Sequence, residues 1–319
     1  MTVTILIPVF NVEAFLPLCM DSLLNQTHRD LQIVLIDDGS KDNSLEVMKQ
    51  YAVKDQRIEI YHQENQGVAT TRNNLLEKVK GDYVLFVDSD DWIELDMVEF
   101  LVGKALSTKS SVVTCSMVIN DDAFDRTVYK EEIWEQPKAV REFLRHETFR
   151  GSLCNKLVSS SLLHNLRFHC GISYGEDALF CWELLQNASR VLVTDKILYH
   201  YRMNVDSISH QSFGDKKLTG HKVWRIINEE CEKWWPQYLD IAQARWGMED
   251  MYLLRQAGQS NYPYNDAIRQ LQQTVKRFIP QMRSSGLLRG FKEVFNANIM
   301  CRWYRYNFLY NKLHILFRQ

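Results

Sequence analysis

A run of acidic residues, Asp88-Ser89-Asp90-Asp91, follows directly on a short apolar segment, Tyr83 to Val87. Adjacent carboxylates repel one another unless a cation or hydrogen-bond donors offset their charge. Mg²⁺ and Mn²⁺ prefer oxygen ligands, and proteins commonly hold them with one or two carboxylates together with phosphate oxygens. The run therefore predicts a divalent-cation site, although an isolated D-x-D also occurs by chance or as the N-cap of a following helix.

Two further segments carry polar groups that suit a nucleotide. In Ile36-Asp37-Asp38-Gly39-Ser40, a carboxylate could accept a hydrogen bond from a pyrimidine N3–H or from ribose hydroxyls. The segment could also be only a strand end and a capped turn. Asn65-Gln66-Gly67 predicts a flexible turn before a helix that carries Arg72. Arg72 could pair with phosphate or hold the acidic run in place, or it could be an ordinary structural arginine.

The elements that must position these residues alternate between strand and helix over the first hundred residues, which predicts a mostly parallel α/β sheet. In such a sheet ligands bind at the carboxyl ends of the strands. We therefore expect Asn11, the Asp37-Asp38 pair, Asn65 and the Asp88 to Asp91 run to lie on one rim. The predicted strands are 2–10, 31–36, 57–62 and 83–87, and the predicted helices are 12–24, 42–51 and 68–79.

Later segments are less regular. The patterns predict a helix over 96–106, a strand over 111–119, an irregular excursion over 121–135, a helix over 175–186 and one or two strands over 191–202. Beyond about Gly214 the strand patterns stop, and the spacing of Trp, Tyr, Gln and Arg predicts helices. We expect an α/β domain over 1–213 and a smaller helical region over 214–319.

Composition excludes several classes of protein. The chain has 319 residues, of which 45% are hydrophobic and 24% are charged, as in ordinary globular proteins. A formal net charge of -2 does not suit a nucleic-acid-binding protein. Seven scattered cysteines without C-x-x-C spacing predict neither a disulfide framework nor a zinc site. The sequence shows neither a signal peptide nor a long apolar span, so we expect a cytoplasmic protein that does not cross a membrane.

Five segments together resemble the nucleotide-binding half of family 2 inverting glycosyltransferases of the GT-A fold. The resemblance is close over about the first 105 residues and looser to about 210. It implies that 1–213 is a GT-A catalytic domain, with a nucleotide-binding half over 1–105 and an acceptor and catalytic half over 106–213. The segments are ILIPVFN at 5–11, SLLNQT at 22–27, IDDGSKDNS at 36–44, ENQGVATTRN at 64–73 and GDYVLFVDSDDW at 81–92.

The resemblance also implies a donor and a cofactor. The donor would be a nucleoside-diphosphate sugar, with UDP favoured over GDP or dTDP, and Asp90 and Asp88 would hold Mn²⁺ or Mg²⁺. An imidazole from the segment Tyr199 to Arg202 could complete the metal shell, which makes His200 a candidate ligand, although a packed histidine is the alternative. The implied donor-binding residues are Pro8, Val9, Phe10, Asn11, Asp38, Asn65, Gly67, Arg72, Asp88 and Ser89.

A second acidic pair, Glu176-Asp177, opens a predicted helix, where acidic side chains also complement the helix dipole. The pair resembles the E-D motif of the family, whose second carboxylate is the usual catalytic base, so Asp177 is the implied base with Glu176 beside it. Direct displacement at the anomeric carbon needs such a base to take the acceptor proton. Asn155-Lys156-Leu157 resembles a further family segment, but Cys154 stands where a Trp is usual, which leaves the acceptor side in doubt.

The C-terminal segment 277–319 contains eight Lys or Arg residues and one acidic residue, Glu293. Three interpretations remain open: a terminal helix packed on its own protein, a homodimer contact, or an interfacial helix on an anionic membrane. The last would place the protein at the inner face of the cell membrane and suit a lipid-linked saccharide acceptor in bacterial capsule, exopolysaccharide or lipopolysaccharide assembly. The apolar stripe of this segment is Ile299, Trp303, Tyr306, Tyr310, Leu313 and Phe317.

Other functions fit the residues less well. A nicotinamide dehydrogenase needs G-x-G-x-x-G after the first strand, whereas Pro8-Val9-Phe10-Asn11 contains no glycine. A nucleotidyltransferase should show a glycine-rich basic loop near the N-terminus. The remaining rival is an inactive relative that binds nucleotide or saccharide, and it predicts the loss of acidic groups that this chain retains.

Overall fold

The computed structural model describes residues 1–119, 129–147, 149–203, 213–288 and 291–303. The chain divides into two compact units that are not continuous in sequence. The first unit comprises Met1–Val140, Phe149–Cys170 and Phe180–Val205, and the second comprises Arg141–Thr148, Gly171–Leu179 and Asp206–Gln319. The second unit thus includes two short internal segments of the predicted 1–213 domain and also the end of that domain, from Asp206.

The first unit is built on a mixed sheet of nine strands within the described residues. The strands are β1 Val3–Val9, β2 Leu31–Asp37, β3 Ile58–His62, β4 Tyr83–Phe86, β5 Trp92–Ile93, β6 Val112–Ile119, β7 Glu131–Glu135, β8 Lys156–Ser159 and β9 Arg190–Tyr201. Their order in the sheet is β3-β2-β1-β4-β8-β6-β9-β5, and β7 pairs with β9.

The half of the sheet formed by β1 to β4 is parallel. In register, Val9 lies beside Asp37, Asp37 beside His62, and Leu6 beside Phe86. Strands β1 and β2 are buried almost throughout because helices cover both faces, as the near-continuous apolar pattern of parallel strands indicates. Their carboxyl ends therefore meet on one rim, which carries the loops of the candidate site.

Four helices of the first unit flank this sheet, and each buries one face while its polar face meets solvent. The buried face of the first of them, for example, carries Leu16, Cys19, Met20 and Leu23, which join the core cluster formed with β1 and β2. The four helices are α1 Leu16–Leu24, α2 Ser44–Lys54, α3 Val68–Leu76 and α4 Met97–Thr108. The next two helices along the chain, α5 Gln136–Arg145 and α6 Glu176–Leu185, each have residues in both units.

The second unit is helical, with α7 Thr219–Trp234, α8 Leu239–Gln259, α9 Asp266–Ser284 and α10 Phe291–Met300. Asn265 caps α9 by accepting from the Ile268 N–H at 3.1 Å. A Cβ at Gly247 of α8 would lie 3.0 Å from Met282 Sδ of α9, which explains a glycine where these two helices cross. No helix among the described residues is long and apolar enough to cross a membrane.

The structure confirms the predicted fold class: an α/β domain with a mostly parallel central sheet and a helical C-terminal region. Three parts of the middle of the chain differ from expectation. The end of the predicted irregular segment 121–135 forms strand β7, and helix α5 follows this strand directly. Strand β8 lies between β4 and β6 and is antiparallel to both. Four residues of the predicted C-terminal apolar stripe lie outside the described residues: Tyr306, Tyr310, Leu313 and Phe317. The segment 204–212, which follows β9, also lies outside them.

Candidate functional site

The loops after β1 and β2 are joined by direct hydrogen bonds. The Asn11 N–H donates to Ser40 Oγ at 3.0 Å, and the Lys41 N–H donates to Asn11 Oδ1 at 2.8 Å. Asn11 adopts a φ of 52°, a left-handed conformation that Asn tolerates better than most residues. Asn11 therefore fixes the shape of the rim between the two strands, whatever contact it makes with a ligand.

Asp38 is buried and ties the end of β2 to the loop before α3. Its carboxylate accepts from Gln63 Nε2 at 2.8 Å and from the N–H groups of Gln66 and Gly67, each at 2.9 Å. Asn65 Nδ2 donates to the Asp38 carbonyl at 3.0 Å. The carboxylate thus stabilises the turn that begins α3, a role that sequence reasoning did not foresee, and its contact with a nucleoside stays a prediction.

Gly39 allows this loop to approach. It has a φ of 73°, and a Cβ at this position would lie 2.8 Å from the Asn65 backbone nitrogen. A non-glycine residue would meet both strain and a clash here, so the glycine in the Asp37-Asp38-Gly39 sequence is required by the close approach of two loops.

Asp38→Asn should destabilise the fold by about 1–3 kcal/mol, because the two carboxylate oxygens each accept a backbone N–H and an amide NH₂ in place of one oxygen would face an N–H donor. Urea unfolding followed by circular dichroism measures the loss. Asp30→Asn is the matched control, because Asp30 is exposed and accepts from Thr2 Oγ1. Equal unfolding free energies for the two variants would contradict the assigned role.

Arg72 on α3 links the middle of the rim to the acidic run. The side chain is buried, its Nη2 donates to Asp88 Oδ1 at 3.1 Å, and the Phe168 ring lies 5.5 Å from its Cζ. Two functional roles were predicted for Arg72: pairing with phosphate and holding the acidic loop in place. The structure shows the second of these contacts. A buried guanidinium is costly without a partner, so Asp88 and Arg72 stabilise each other.

The acidic loop, residues 88–91, is a turn closed by the Asp91 N–H, which donates to the Asp88 carbonyl at 3.1 Å. Asp91 Oδ2 accepts from the Tyr199 hydroxyl at 2.7 Å, and Asp91 Oδ1 accepts from the Arg202 N–H at 2.7 Å. The acidic run does not cap a following helix, the alternative left open by its sequence, because β5 follows the loop and α4 begins at Met97 with Asp96 as its N-cap. Asp91 is instead a buried member of the site.

Asp91 carries an electrostatic cost that a cation would offset. Burial, together with the charges of Asp88 and Asp90, raises the pKa of the Asp91 carboxyl to about 8, against hydrogen bonds from Arg202 and Tyr199 that lower it. Among the described residues, Asp88, Asp91 and Cys154 each offer a ligand atom, and these atoms lie within 4.8 Å of one another. Two carboxylates suit Mn²⁺ or Mg²⁺, whereas a thiol suits softer metals.

His200 lies beside this loop but has another partner. Its Nε2 lies 2.6 Å from Glu94 Oε1, and its ring stacks on Trp92 at a centroid distance of 4.9 Å. His200 does not belong to the group of three potential ligands found among the described residues. These contacts give no support to a metal role for His200, which stays a prediction, as does that of Asp90.

The raised pKa of Asp91 predicts a pH dependence of stability in metal-free protein. The folded state holds this proton up to about pH 8, whereas an unfolded Asp releases it near its ordinary pKa of 3.8. The folded state thus binds more protons, so stability should fall as pH rises through this window, by at most about 1.4 kcal/mol per pH unit. Urea unfolding in EDTA from pH 5 to 8 should give a flatter profile for Asp91→Asn; identical profiles would refute the assignment.

A sequence model described as Glycosyl transferase family 2 matches residues 4–166, or 163 of the 319 residues. The chain belongs to glycosyltransferase family 2. One bacterial relative of this family 2 chain is glycosyltransferase GlyA from Streptococcus pneumoniae, which is 29% identical over 298 residues. The alignment covers 89% of the chain but only 39% of GlyA, so the family 2 chain spans well under two thirds of that protein.

Solved structures support the same fold for this family 2 protein. TarS 1-349 from S. aureus in complex with UDP-GlcNAc matches with a TM-score of 0.70 and 21% identity, covering 88% of the chain and 81% of TarS 1-349. A mannosyltransferase from Pyrobaculum calidifontis in complex with GDP-Man and Mn²⁺ matches with a TM-score of 0.57 and 14% identity, covering 94% of the chain and 87% of the mannosyltransferase. At these identities the similarity is one of fold.

The structure of the family 2 chain brings all ten predicted donor-binding residues to one rim of the first unit. Phe10 is 46% exposed there, whereas Val9 and Ser89 are buried in the strand end and the acidic loop. Glu176 and Asp177 lie in the first turn of α6, within the second unit, after Gly175 with a φ of 86°. The predicted residues at the rim are Pro8, Val9, Phe10, Asn11, Asp38, Asn65, Gly67, Arg72, Asp88 and Ser89.

Sequence reasoning missed Tyr199 and the role of Gln63 in this family 2 protein. The Tyr199 hydroxyl contacts the acidic loop from a strand 108 residues further along the chain. The Tyr199 to Arg202 sequence offers its histidine as a candidate ligand but carries no pattern that predicts a role for the Tyr199 hydroxyl. A buried acidic run with no nearby basic residue was the available signal that donors must come from elsewhere in the fold.

Proposed function

We propose that this protein is an inverting, metal-dependent glycosyltransferase that moves a sugar from a nucleoside-diphosphate sugar to a saccharide hydroxyl. The observation that carries the proposal is the Arg72–Asp88 pair at 3.1 Å, which places a buried guanidinium beside the acidic loop on the rim where parallel strands end. That rim is where open α/β sheets bind nucleotides.

The nucleoside end of the donor binds at the loops after β1 and β2. These loops are held by Asn11 and Asp38, which present the exposed ring of Phe10 beside a rigid polar edge. UDP is the favoured nucleotide, and the UDP-GlcNAc complex of TarS 1-349 supports this choice. The diphosphate then points along the rim toward the acidic loop.

The acidic loop supplies the candidate metal ligands. Asp88 and Asp90 are the proposed ligands for Mn²⁺ or Mg²⁺, and Asp91 lies close enough to Asp88 to take part. Such a cation stabilises the charge that develops on a departing nucleoside diphosphate. The Mn²⁺ complex of the Pyrobaculum calidifontis mannosyltransferase supports a metal. Arg72 orients the Asp88 carboxylate through their ion pair.

Asp177 is the proposed catalytic base, with Glu176 beside it. The carboxylate of Asp177 takes the proton of the acceptor hydroxyl as the hydroxyl oxygen bonds to the anomeric carbon. The bond between that carbon and the diphosphate oxygen breaks at the same time, and the electron pair leaves with the nucleoside diphosphate. A single displacement of this kind inverts the anomeric configuration and needs no covalent intermediate.

The proposed acceptor is a saccharide, lipid-linked in the setting of bacterial capsule, exopolysaccharide or lipopolysaccharide assembly. The similarity to GlyA, a glycosyltransferase of Streptococcus pneumoniae, supports a bacterial setting. The proposed contact with the inner face of the cell membrane would be made by 277–319, of which 289–290 and 304–319 lie outside the described residues.

A donor screen tests the proposal without knowledge of the acceptor. Release of nucleoside diphosphate from UDP-, GDP- and dTDP-sugars is measured with Mn²⁺ and with EDTA, because slow hydrolysis reports donor choice. We expect release from at least one UDP-sugar that requires the metal. Binding of nucleotide without release from any donor, with candidate saccharide acceptors present, would indicate an inactive binding protein instead.

A further inference from the structure

Tyr199 of β9 is fully buried, and its hydroxyl contacts both ends of the acidic loop. It donates to Asp91 Oδ2 at 2.7 Å and accepts from the Asp88 N–H at 3.2 Å. A phenolic hydroxyl has one proton to donate, so its donor capacity is committed to Asp91. One atom therefore holds the first and last residues of the loop.

The strand end around Tyr199 adds two further contacts. The Arg202 N–H donates to Asp91 Oδ1 at 2.7 Å, and Arg202 Nε donates to the Asp90 carbonyl at 2.9 Å. The Arg202 guanidinium lies between two rings, with Phe15 at 5.1 Å and Trp92 at 4.8 Å from its Cζ. The loop is thus held by its side chains and its backbone to the end of one strand.

The loop needs such support because its own chemistry opposes its shape. Three carboxyl groups lie within four residues, and Asp91 is almost fully buried, so the loop needs hydrogen-bond partners from elsewhere in the fold to keep its shape in the absence of a cation. Strand β4 ends just before the loop, and the β5 strand that follows it is only two residues long. Backbone pairing alone gives the loop few fixed points.

We propose that Tyr199 is a positioning residue that holds the acidic loop in the geometry needed to bind the metal-diphosphate group. The proposal rests on the function proposed above. A site for a metal or a diphosphate loses affinity when the protein groups that form it are displaced or mobile by up to about an ångström. Binding must then order these groups, and the free energy of ordering them lowers the affinity. Tyr199 contributes by ordering the loop before the ligand arrives.

Tyr199→Phe tests the proposal, because it removes both hydrogen bonds and keeps the ring in the core. Tyr51→Phe is the matched control: its hydroxyl also makes two contacts in the same unit, with Asp21 Oδ1 at 2.8 Å and the Pro17 carbonyl at 3.2 Å. Hydrogen–deuterium exchange of the metal-free full chain reads the loop directly. We expect peptides covering residues 86–93 to exchange roughly tenfold faster in Tyr199→Phe and at the wild-type rate in Tyr51→Phe.

Calorimetric titration with UDP supplies the second readout. In Tyr199→Phe the affinity for UDP in the presence of Mn²⁺ should fall roughly tenfold, whereas the affinity in EDTA should be unchanged, a split that a general loss of stability would not produce. Wild-type exchange in the loop, or faster exchange with unchanged UDP affinity in Mn²⁺, would overturn the proposal. If the wild-type protein bound no UDP, the proposed function would fail, while the exchange measurement would still decide whether Tyr199 orders the loop.

Discussion

Asp177→Asn should lower kcat by about 10³-fold or more while UDP binds as tightly as it does to the wild-type protein. An amide cannot take the acceptor proton, and general-base catalysis typically contributes 10²–10⁴-fold. The nucleotide contacts that we assign lie on the rim of the sheet, so they should survive this change. Steady-state turnover with the donor found in the screen gives kcat, and calorimetry gives the UDP affinity.

Asp266→Asn is the control for the Asp177 variant. Asp266 also lies in the first turn of a helix, α9, where it pairs with Arg269 at 2.9 Å and its side chain is 84% exposed. If helix-dipole complementarity were the whole role of an acidic residue in that position, the two variants would behave alike. Turnover of Asp177→Asn near the wild-type rate would show that the base is another residue.

Asp88→Asn should weaken UDP binding in the presence of Mn²⁺ by about 100-fold and leave binding in EDTA within about threefold. The change removes a proposed metal ligand and leaves the buried Arg72 guanidinium without its carboxylate. A lost charge-assisted hydrogen bond to a buried group costs about 1.5–3 kcal/mol, and each 1.4 kcal/mol is tenfold in affinity. Titration of the variant with UDP in each condition measures both affinities.

Asp82→Asn provides the control at the opposite end of the same strand. Asp82 precedes β4 and accepts from the Thr2 N–H at 3.0 Å, away from the rim. Its replacement should leave both UDP affinities unchanged. Equal UDP affinities of Asp88→Asn and Asp82→Asn in Mn²⁺ would show that Asp88 is not a ligand of the metal.

The parallel half of the fold could be predicted because its strands are buried on both faces and read as short apolar runs. The runs that form β1 and β2 are of this kind, and their boundaries differ from the predicted ones by one residue. Strand β7, with the sequence EEIWE, is mostly exposed, and β8 is only four residues long. Such strands form because neighbouring strands pair with them, and local sequence patterns carry little of that information.

The site was predictable to a similar degree. Polar residues at strand ends pointed to the rim because parallel topology gathers them there. Asp38 shows the limit: its carboxylate also holds the backbone of the Gln66–Gly67 turn, which only the folded chain reveals. Tyr199 lies 111 residues from Asp88, and no local pattern connects them. The unequal roles of Asp88, Asp90 and Asp91 likewise depend on burial rather than on sequence.

Isothermal titration of the wild-type protein with UDP, in Mn²⁺ and then in EDTA, tests most directly the claim that the acidic loop binds a nucleoside diphosphate through a cation. We predict binding that is at least about tenfold tighter in Mn²⁺, because the cation links the diphosphate to carboxylates that otherwise repel it. Equal affinity in the two conditions, or an absence of UDP binding in both, would contradict the assignment of this loop.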